Sequence, residues 1–569
     1  MKPRLTLAIL LLTASAIAQP AVPPAVKSAE AAINPENIRA HVRFLADDLL
    51  EGRGPGLRGG ELAAKYIATQ FALDGLKPGG DNGTYFQQVD FVGMTVKRDV
   101  TSFALISNVI SVYKPIPLAF GPDYVVNNPR HTPVVDINAP IVFVGYGITA
   151  PEFNWDDYAG VDVKGKVVLI IVGDPPSDDP KFFAGKALTY YGRWTYKYEE
   201  AARRGAIGAL IIHRDDLASY PWSVVQNSNS GEKTFLANDT QPQVAAAAWI
   251  SHETSDKLFA AVGMKATDAE IDLAGKRGFK AIQLPIQLKA HIESTVRPYQ
   301  SPNVVGILPR AMPCDGVKSP TPCKGPPPGK DQAVLYTAHY DHLGFVPGMP
   351  GDNIYNGAVD NATGCGIVME LARAWSTLRT PPPHSIVFAA VTAEEQGLLG
   401  SDYLGQHPPI PAGQIALDLN YDAIQPFGDP LEVSVDGAER TSFYPTVQAT
   451  AKRFAMAIVP DAHPEAGHYY RSDHFSFARV GVPAFSVGSG TLYSGHDAAW
   501  GLAKEDDYTA HRYHNFSDNY TPDMDFTSNA KLARFGMELG WEAIAAPATV
   551  SWRPNDEFEP ARKRSLTSH

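Results

Sequence analysis

Val334-Leu335-Tyr336-Thr337-Ala338-His339-Tyr340-Asp341 reads as a short apolar strand that ends on an imidazole and a carboxylate. A buried strand would leave His339 at its carboxyl end, where open α/β sheets bind their ligands. Asp360-Asn361-Ala362-Thr363-Gly364 then opens a helix whose apolar face is Ile367, Val368, Leu371, Ala372 and Trp375. A second apolar run, 386–391, leads to Glu394 and Glu395, and a third, 415–419, leads to Asn420-Tyr421-Asp422. Strands alternating with helical patterns indicate an α/β sheet.

Acids and an imidazole recur at strand ends and at a helix start, and buried carboxylates are costly unless they are paired or bound to metal. A pair of divalent cations accounts for all of them at once. Zinc accepts imidazole nitrogen and carboxylate oxygen, and ions about 3.5 to 4 Å apart need a bridging carboxylate. In the His339-Tyr340-Asp341 pair, Asp341 is placed to orient the imidazole from behind. Of two adjacent glutamates, one can bind metal while the other moves protons.

Together, His339-Tyr340-Asp341, Gly357-Ala358-Val359-Asp360-Asn361-Ala362, Glu394-Glu395 before Gly397-Leu398-Leu399-Gly400-Ser401, Asn420-Tyr421-Asp422, Ser472-Asp473-His474 and Tyr513-His514 resemble the co-catalytic zinc aminopeptidases of family M28. Leu50-Glu51-Gly52-Arg53 with Gly75-Leu76 resembles the N-terminal part of the same family. The resemblance implies an α/β fold with a mixed central sheet sandwiched by helices, of the zinc aminopeptidase or phosphorylase/hydrolase-like kind. It also implies two zinc ions per chain, with His339 and Asp422 on one, Glu395 and His514 on the other, and Asp360 bridging. Glu394 would be the general base. Tyr469, or failing that Tyr470, precedes Ser472-Asp473-His474 at the distance of the family tyrosine that donates to the oxyanion. Asp473 and His474 themselves are expected to be structural, and His342, His468, His496 and His511 are left out as ligands.

The chain has 569 residues, enough for two or three domains. Its formal charge of -12 argues against nucleic acid or an anionic membrane surface as a partner. Lys2 and Arg4, the apolar run 5–12 and Ala16-Ile17-Ala18 make residues 1–18 a signal peptide by pattern, too short to stay in a bilayer. Export to a periplasm or to the medium, without stable membrane insertion, is expected. That compartment would let Cys314 and Cys323 close the Pro-rich loop between them as a disulfide, with Cys365 left as a core filler.

Residues 19–32 read as a flexible lead. A helix capped by Asn34 with Pro35 at its first turn carries Ile38, Val42, Leu45 and Leu49, and a second spans 60–73. Residues 33–115 are taken as the first part of the peptidase domain. Residues 116–285 change character: β-rich runs at 141–145, 167–172 and 209–212 enclose a helical segment ending in Gly205-Ala206-Ile207-Gly208. This resembles a protease-associated domain inserted into the peptidase, a covering surface without chemistry of its own. Its His213, Asp215 and Asp216 read as a solvated turn. Residues 286–548 complete the peptidase domain, and 549–569 read as a polar, frayed tail.

The expected activity is removal of N-terminal residues from peptides. Two rivals remain: a glutaminyl cyclase on the same fold, and a receptor-like protein that has kept the fold without catalysis.

Overall fold

The computed structural model describes residues 22–107, 115–229, 231–311, 331–461 and 463–567. Three helices come first, α1 (Pro24–Ala31), α2 (Pro35–Leu45) and α3 (Arg58–Leu73). Strands β1 (Phe86–Val96), β2 (Ser102–Ser107), β3 (Tyr124–Asn127), β4 (Val134–Phe143) and β5 (Val167–Ile171) follow, then α4 (Trp194–Arg203), β6 (Gly208–Ile212) and β7 (Ala246–Ile250). The long strand β8 (Ile282–Leu308) leads to β9 (Ala333–His339), α5 (Gly364–Ser376), β10 (Ile386–Val391), β11 (Ile415–Asn420) and β12 (Ala484–Ser486). Helices α6 (Ala498–His511), α7 (Thr527–Ala545) and α8 (Glu559–Thr567) close the chain.

The first sheet has the order β12-β11-β9-β10-β8-β1. Its first four strands are parallel, and β8 and β1 add antiparallel neighbours. Every residue of β9, β10 and β11 is buried, as continuous apolar runs require when helices cover both faces of a parallel sheet. The register pairs His339 with Val391 and Thr337 with Asn420. The three strands therefore end level, and the polar residues after them emerge at one carboxyl edge.

Helix α5 is enclosed almost all round, not on one face alone. Gly366 admits α2, since a Cβ there would sit 3.1 Å from Ile38 Cγ2. The buried Glu370 on α5 accepts from Asn34 N at 2.7 Å and Asn37 Nδ2 at 3.1 Å, which ties α2 down. Helix α2 ends at Leu45, short of the expected Leu49, which is 71% exposed. Asp47 instead caps a tight turn by accepting from Leu49 N.

The start of the lead and the tail both differ from their sequence reading. Residues 24–31 are helical, with Val26 and Ala29 in the main core and Lys27 paired with Glu30 and Glu538. The tail carries α8, whose Arg562 is 2% exposed and donates to the carbonyls of Ala412, Ile415 and Val550. Three backbone acceptors compensate for burying that guanidinium.

A second sheet, β2 and β4 on the first half of β8, continues as β4-β5-β6-β7-β3. Because β2 pairs with Ile286 to His291, this unit begins before residue 116 and returns within β8. It has its own hydrophobic core. Its His213 is 2% exposed, against Tyr220, Trp222 and Trp249, so only the acids of that turn face solvent. Leu188 of this unit donates its N–H to Pro464 O at 2.9 Å, and Tyr190 packs on Tyr470 and Phe475 of the first unit. Between the two lies a cleft of about 1480 Å³ lined by Leu188, Tyr191, Asp436, Tyr444, Asp461 and Tyr469.

Candidate metal centre

The turn after β10 separates the two glutamates. Ala393 has φ +55°, and Gly400 N donates to Thr392 O at 3.0 Å. A Cβ at Gly400 would lie 2.0 Å from Thr392 O, so only glycine lets the chain close here. Asp360 lies ahead of α5, in an irregular turn from Ala358 to Thr363, not inside the regular helix.

These elements bring His339, Asp360, Glu395, Asp422 and His514 together. Nε2 of His339 is 3.1 Å from Oδ1 of Asp422 and 3.2 Å from Oδ1 of Asp360. Oδ2 of Asp360 is 3.2 Å from Nε2 of His514, which in turn is 3.1 Å from Oε2 of Glu395. Asp360 thus presents one oxygen to each imidazole. Donor atoms of His339, Asp360 and Glu395 all lie within 4.8 Å of one another. Glu394 stands back, its Oε2 4.0 Å from His339 Nε2.

Among the described residues, neither Lys nor Arg forms an ion pair with Asp360, Glu394, Glu395 or Asp422. Buried carboxylates at this density need cations. Two imidazoles and three carboxylates, one facing both ways, fit a pair of divalent ions. Burial would raise Asp360, but His339 and His514 hold it well below the ordinary carboxylate range. Burial also acts to raise Glu395, yet His514 and His342 bring it down to about 2. Glu394 goes the other way: burial, with Glu395, Asp422 and Asp473 close by, pushes it well above that range despite His339. Two adjacent glutamates are therefore driven in opposite directions by their surroundings.

Asp341 holds the site differently from the expectation. His339 Nδ1 is 3.1 Å from the Asp341 main-chain oxygen and 3.8 Å from its carboxylate. The carboxylate instead accepts from Glu394 N at 3.1 Å, fixing the glutamate turn.

Four supporting residues had no role at the site assigned from the sequence, although Arg53 and Ser472 lie in the quoted motifs. Asp518, 1% exposed, accepts from Val359 N and Asp360 N and so positions the Asp360 turn. His342, left out as a ligand from the sequence, is fully buried with Nδ1 2.6 Å from Glu395 Oε1. Arg53, also fully buried, donates to the carbonyls of Leu45, Tyr340, Asn356 and Gly357, clamping the segments on either side of the site. Gly357, at φ +58°, makes room for both, since a Cβ there would be 2.7 Å from Arg53 Nη2 and from His342 Cδ2. Ser472 donates to Asp422 Oδ2 at 2.6 Å. The spacing of Asp518, four residues after His514, was the available signal for one of these.

The tyrosines do not join the cluster. The Tyr469 hydroxyl donates to Ala484 O at 3.2 Å, with Arg440 4.8 Å over its ring. Tyr470 donates to Glu557 Oε1 at 2.7 Å. Both hydroxyl protons are engaged away from the ligands. Cys365 is buried with its thiol on His339 O, and Cys314 and Cys323 lie outside the described residues.

Residues 323–536 match the model of Peptidase family M28. Aminopeptidase YwaD of Bacillus subtilis (strain 168) is 28% identical over 267 residues, 46% of this chain and 40% of that protein. Leupeptin-inactivating enzyme 1 of Streptomyces exfoliatus is 29% identical over 174 residues, 30% of this chain and 35% of that protein. The matched part therefore spans less than half the length of each relative. An aminopeptidase from Aneurinibacillus sp. strain AM-1 superposes over 93% of this chain and 98% of its own, with a TM-score of 0.47 and 19% identity. His339, Asp360, Glu394, Glu395, Asp422 and His514 all fall within the stretch that matches the model of Peptidase family M28.

Proposed function

We propose that the chain is an exported aminopeptidase that holds two zinc ions and hydrolyses the N-terminal peptide bond of peptides. The observation that carries this is Asp360, whose two oxygens face two different imidazoles at 3.2 Å each. His339 and Asp422 would hold one ion, His514 and Glu395 the other, with Asp360 shared. When bound, the two ions lower the pKa of water and polarise the scissile carbonyl.

The chain's own groups supply the rest. Glu394 is too far from His339 to be its hydrogen-bond partner and is kept from turning by Asp341 at its backbone N–H. It takes the proton from the attacking water and returns it to the leaving amine. Its strongly raised pKa suits the proton-holding half of that cycle. The second sheet unit, read as a protease-associated cover, meets the peptidase unit at Leu188 and Tyr190. The basic and apolar opening of residues 1–18 supports export.

The test is metal content with turnover on a panel of N-terminal residues. The zinc-loaded protein releases N-terminal residues, and Glu394→Gln lowers kcat about 100-fold or more while keeping two ions. Loss of an ion in Glu394→Gln would show that the two glutamates are reversed. Ring closure of Gln-initiated peptides without hydrolysis would replace the aminopeptidase reading with a cyclase.

A further inference from the structure

Behind Asp422, four side chains form an unbroken line. Thr337 Oγ1 lies 3.0 Å from Asp418 Oδ1 and 3.0 Å from Asn420 Oδ1. Asn420 Nδ2 donates to Ser472 Oγ at 2.7 Å, and Ser472 Oγ donates to Asp422 Oδ2 at 2.6 Å. Thr337, Asp418 and Asn420 are fully buried, and Ser472 is 9% exposed.

Counting protons fixes the direction. A threonine hydroxyl has one proton, yet here it faces two oxygens. Turning the Asn420 amide round would supply a donor to Thr337, but it would draw the Ser472 proton onto Asn420. Ser472 Oγ and the Asp422 carboxylate would then meet at 2.6 Å with no proton between them. The consistent assignment has Asp418 donating to Thr337, Thr337 to Asn420, Asn420 to Ser472, and Ser472 to Asp422.

The surroundings of Asp418 agree. Its Oδ2 has no hydrogen-bond partner, and the neighbouring charged group, Asp473, opposes ionisation. Burial pushes Asp418 well above the usual carboxylate range, with the Thr337 contact opposing it. An ionised oxygen left bare in this position costs far more than the carbonyl oxygen of a neutral acid.

We propose that Asp418 is a positioning residue, kept as the neutral acid at the head of a one-way hydrogen-bond chain through Thr337, Asn420 and Ser472 that aims Asp422. The chain leaves Asp422 Oδ1, 3.1 Å from His339 Nε2, free to face an ion. That last consequence rests on the metal reading above, whereas the protonation of Asp418 does not.

Two measurements separate these parts. In infrared spectra of the metal-free protein at neutral pH, subtracting Asp418→Asn from the unsubstituted protein isolates one carboxylic C=O stretch. A pair of carboxylate bands in its place overturns the proposal. In calorimetric zinc titrations, Thr337→Val weakens one ion about tenfold or more. Asp418→Asn, whose amide N–H replaces the acid proton, stays near the unsubstituted value, and Thr337→Ser restores binding. Equal affinities in Thr337→Val and the unsubstituted protein overturn the proposed aiming of Asp422. Should Thr337→Val not fold, Ser472→Ala breaks the next link and is read the same way. If the unsubstituted protein binds no zinc, the metal reading falls, while the infrared comparison still decides the state of Asp418.

Discussion

Replacing Asp518 by alanine is expected to damage the site without touching a ligand. Both carboxylate oxygens lie 3.1 Å from Val359 N, and Oδ2 lies 3.0 Å from Asp360 N. The contact from Ala358 N goes to the Asp518 main-chain oxygen and survives the substitution. Two buried amides therefore lose a charged acceptor, at about 1.5 to 3 kcal/mol each. Relief from desolvating one carboxylate offsets part of this, leaving a net loss of roughly 2 to 4 kcal/mol. Urea unfolding of the metal-free protein reads that loss. Zinc titration reads the second effect: with the Asp360 turn released, affinity falls about 10- to 100-fold, the range for removing an orienting partner. Asp518→Asn keeps one acceptor oxygen and falls between. The reasoning is refuted if Asp518→Ala unfolds within about 0.5 kcal/mol of the unsubstituted protein, the scale of an ordinary surface change, and binds zinc equally well.

Asp360→Ala should deplete both ions, and metal analysis showing two tightly bound ions would remove its bridging role. Tyr469→Phe should change kcat less than about threefold, because its hydroxyl serves the Ala484 carbonyl; a drop of about 100-fold at constant KM would restore it as the oxyanion donor. His474 is 1% exposed, and burial lowers its pKa from 6.5 to about 3. Its neutral form is favoured by folding, so its contribution is intact above pH 6.5 and is lost as pH falls from there towards about 3. The full loss is up to roughly 5 kcal/mol. His474→Leu should flatten that part of the acid unfolding curve, and an unchanged pH slope would show that another group carries it.

The two sheet units illustrate how far local pattern reaches. The runs at 167–172 and 209–212 correspond to β5 and β6 with a residue or so to spare, because a strand buried on both faces must be apolar throughout. That the second sheet starts before residue 116 left no local trace, because β2 and the first half of β8 pair across about 180 residues and either strand alone looks like part of its neighbour. The lead and tail have the composition of loose ends. Each is held by a few distant contacts, Lys27 to Glu538 and Arg562 to Ile415, that leave no periodic trace.

The sequence by itself determined the strand ends, the residue types at them and their order, since strand burial and metal chemistry constrain which side chains can stand at each position. Only the tertiary structure decided that Asp341 holds the glutamate turn more than the imidazole. It also decided that His342, Asp518 and Arg53 belong to the site and that the Tyr469 hydroxyl does not. These are choices among competing hydrogen-bond partners. They depend on distances of a few tenths of an ångström between segments 15 to 304 residues apart, and spacing along the chain carries no record of them.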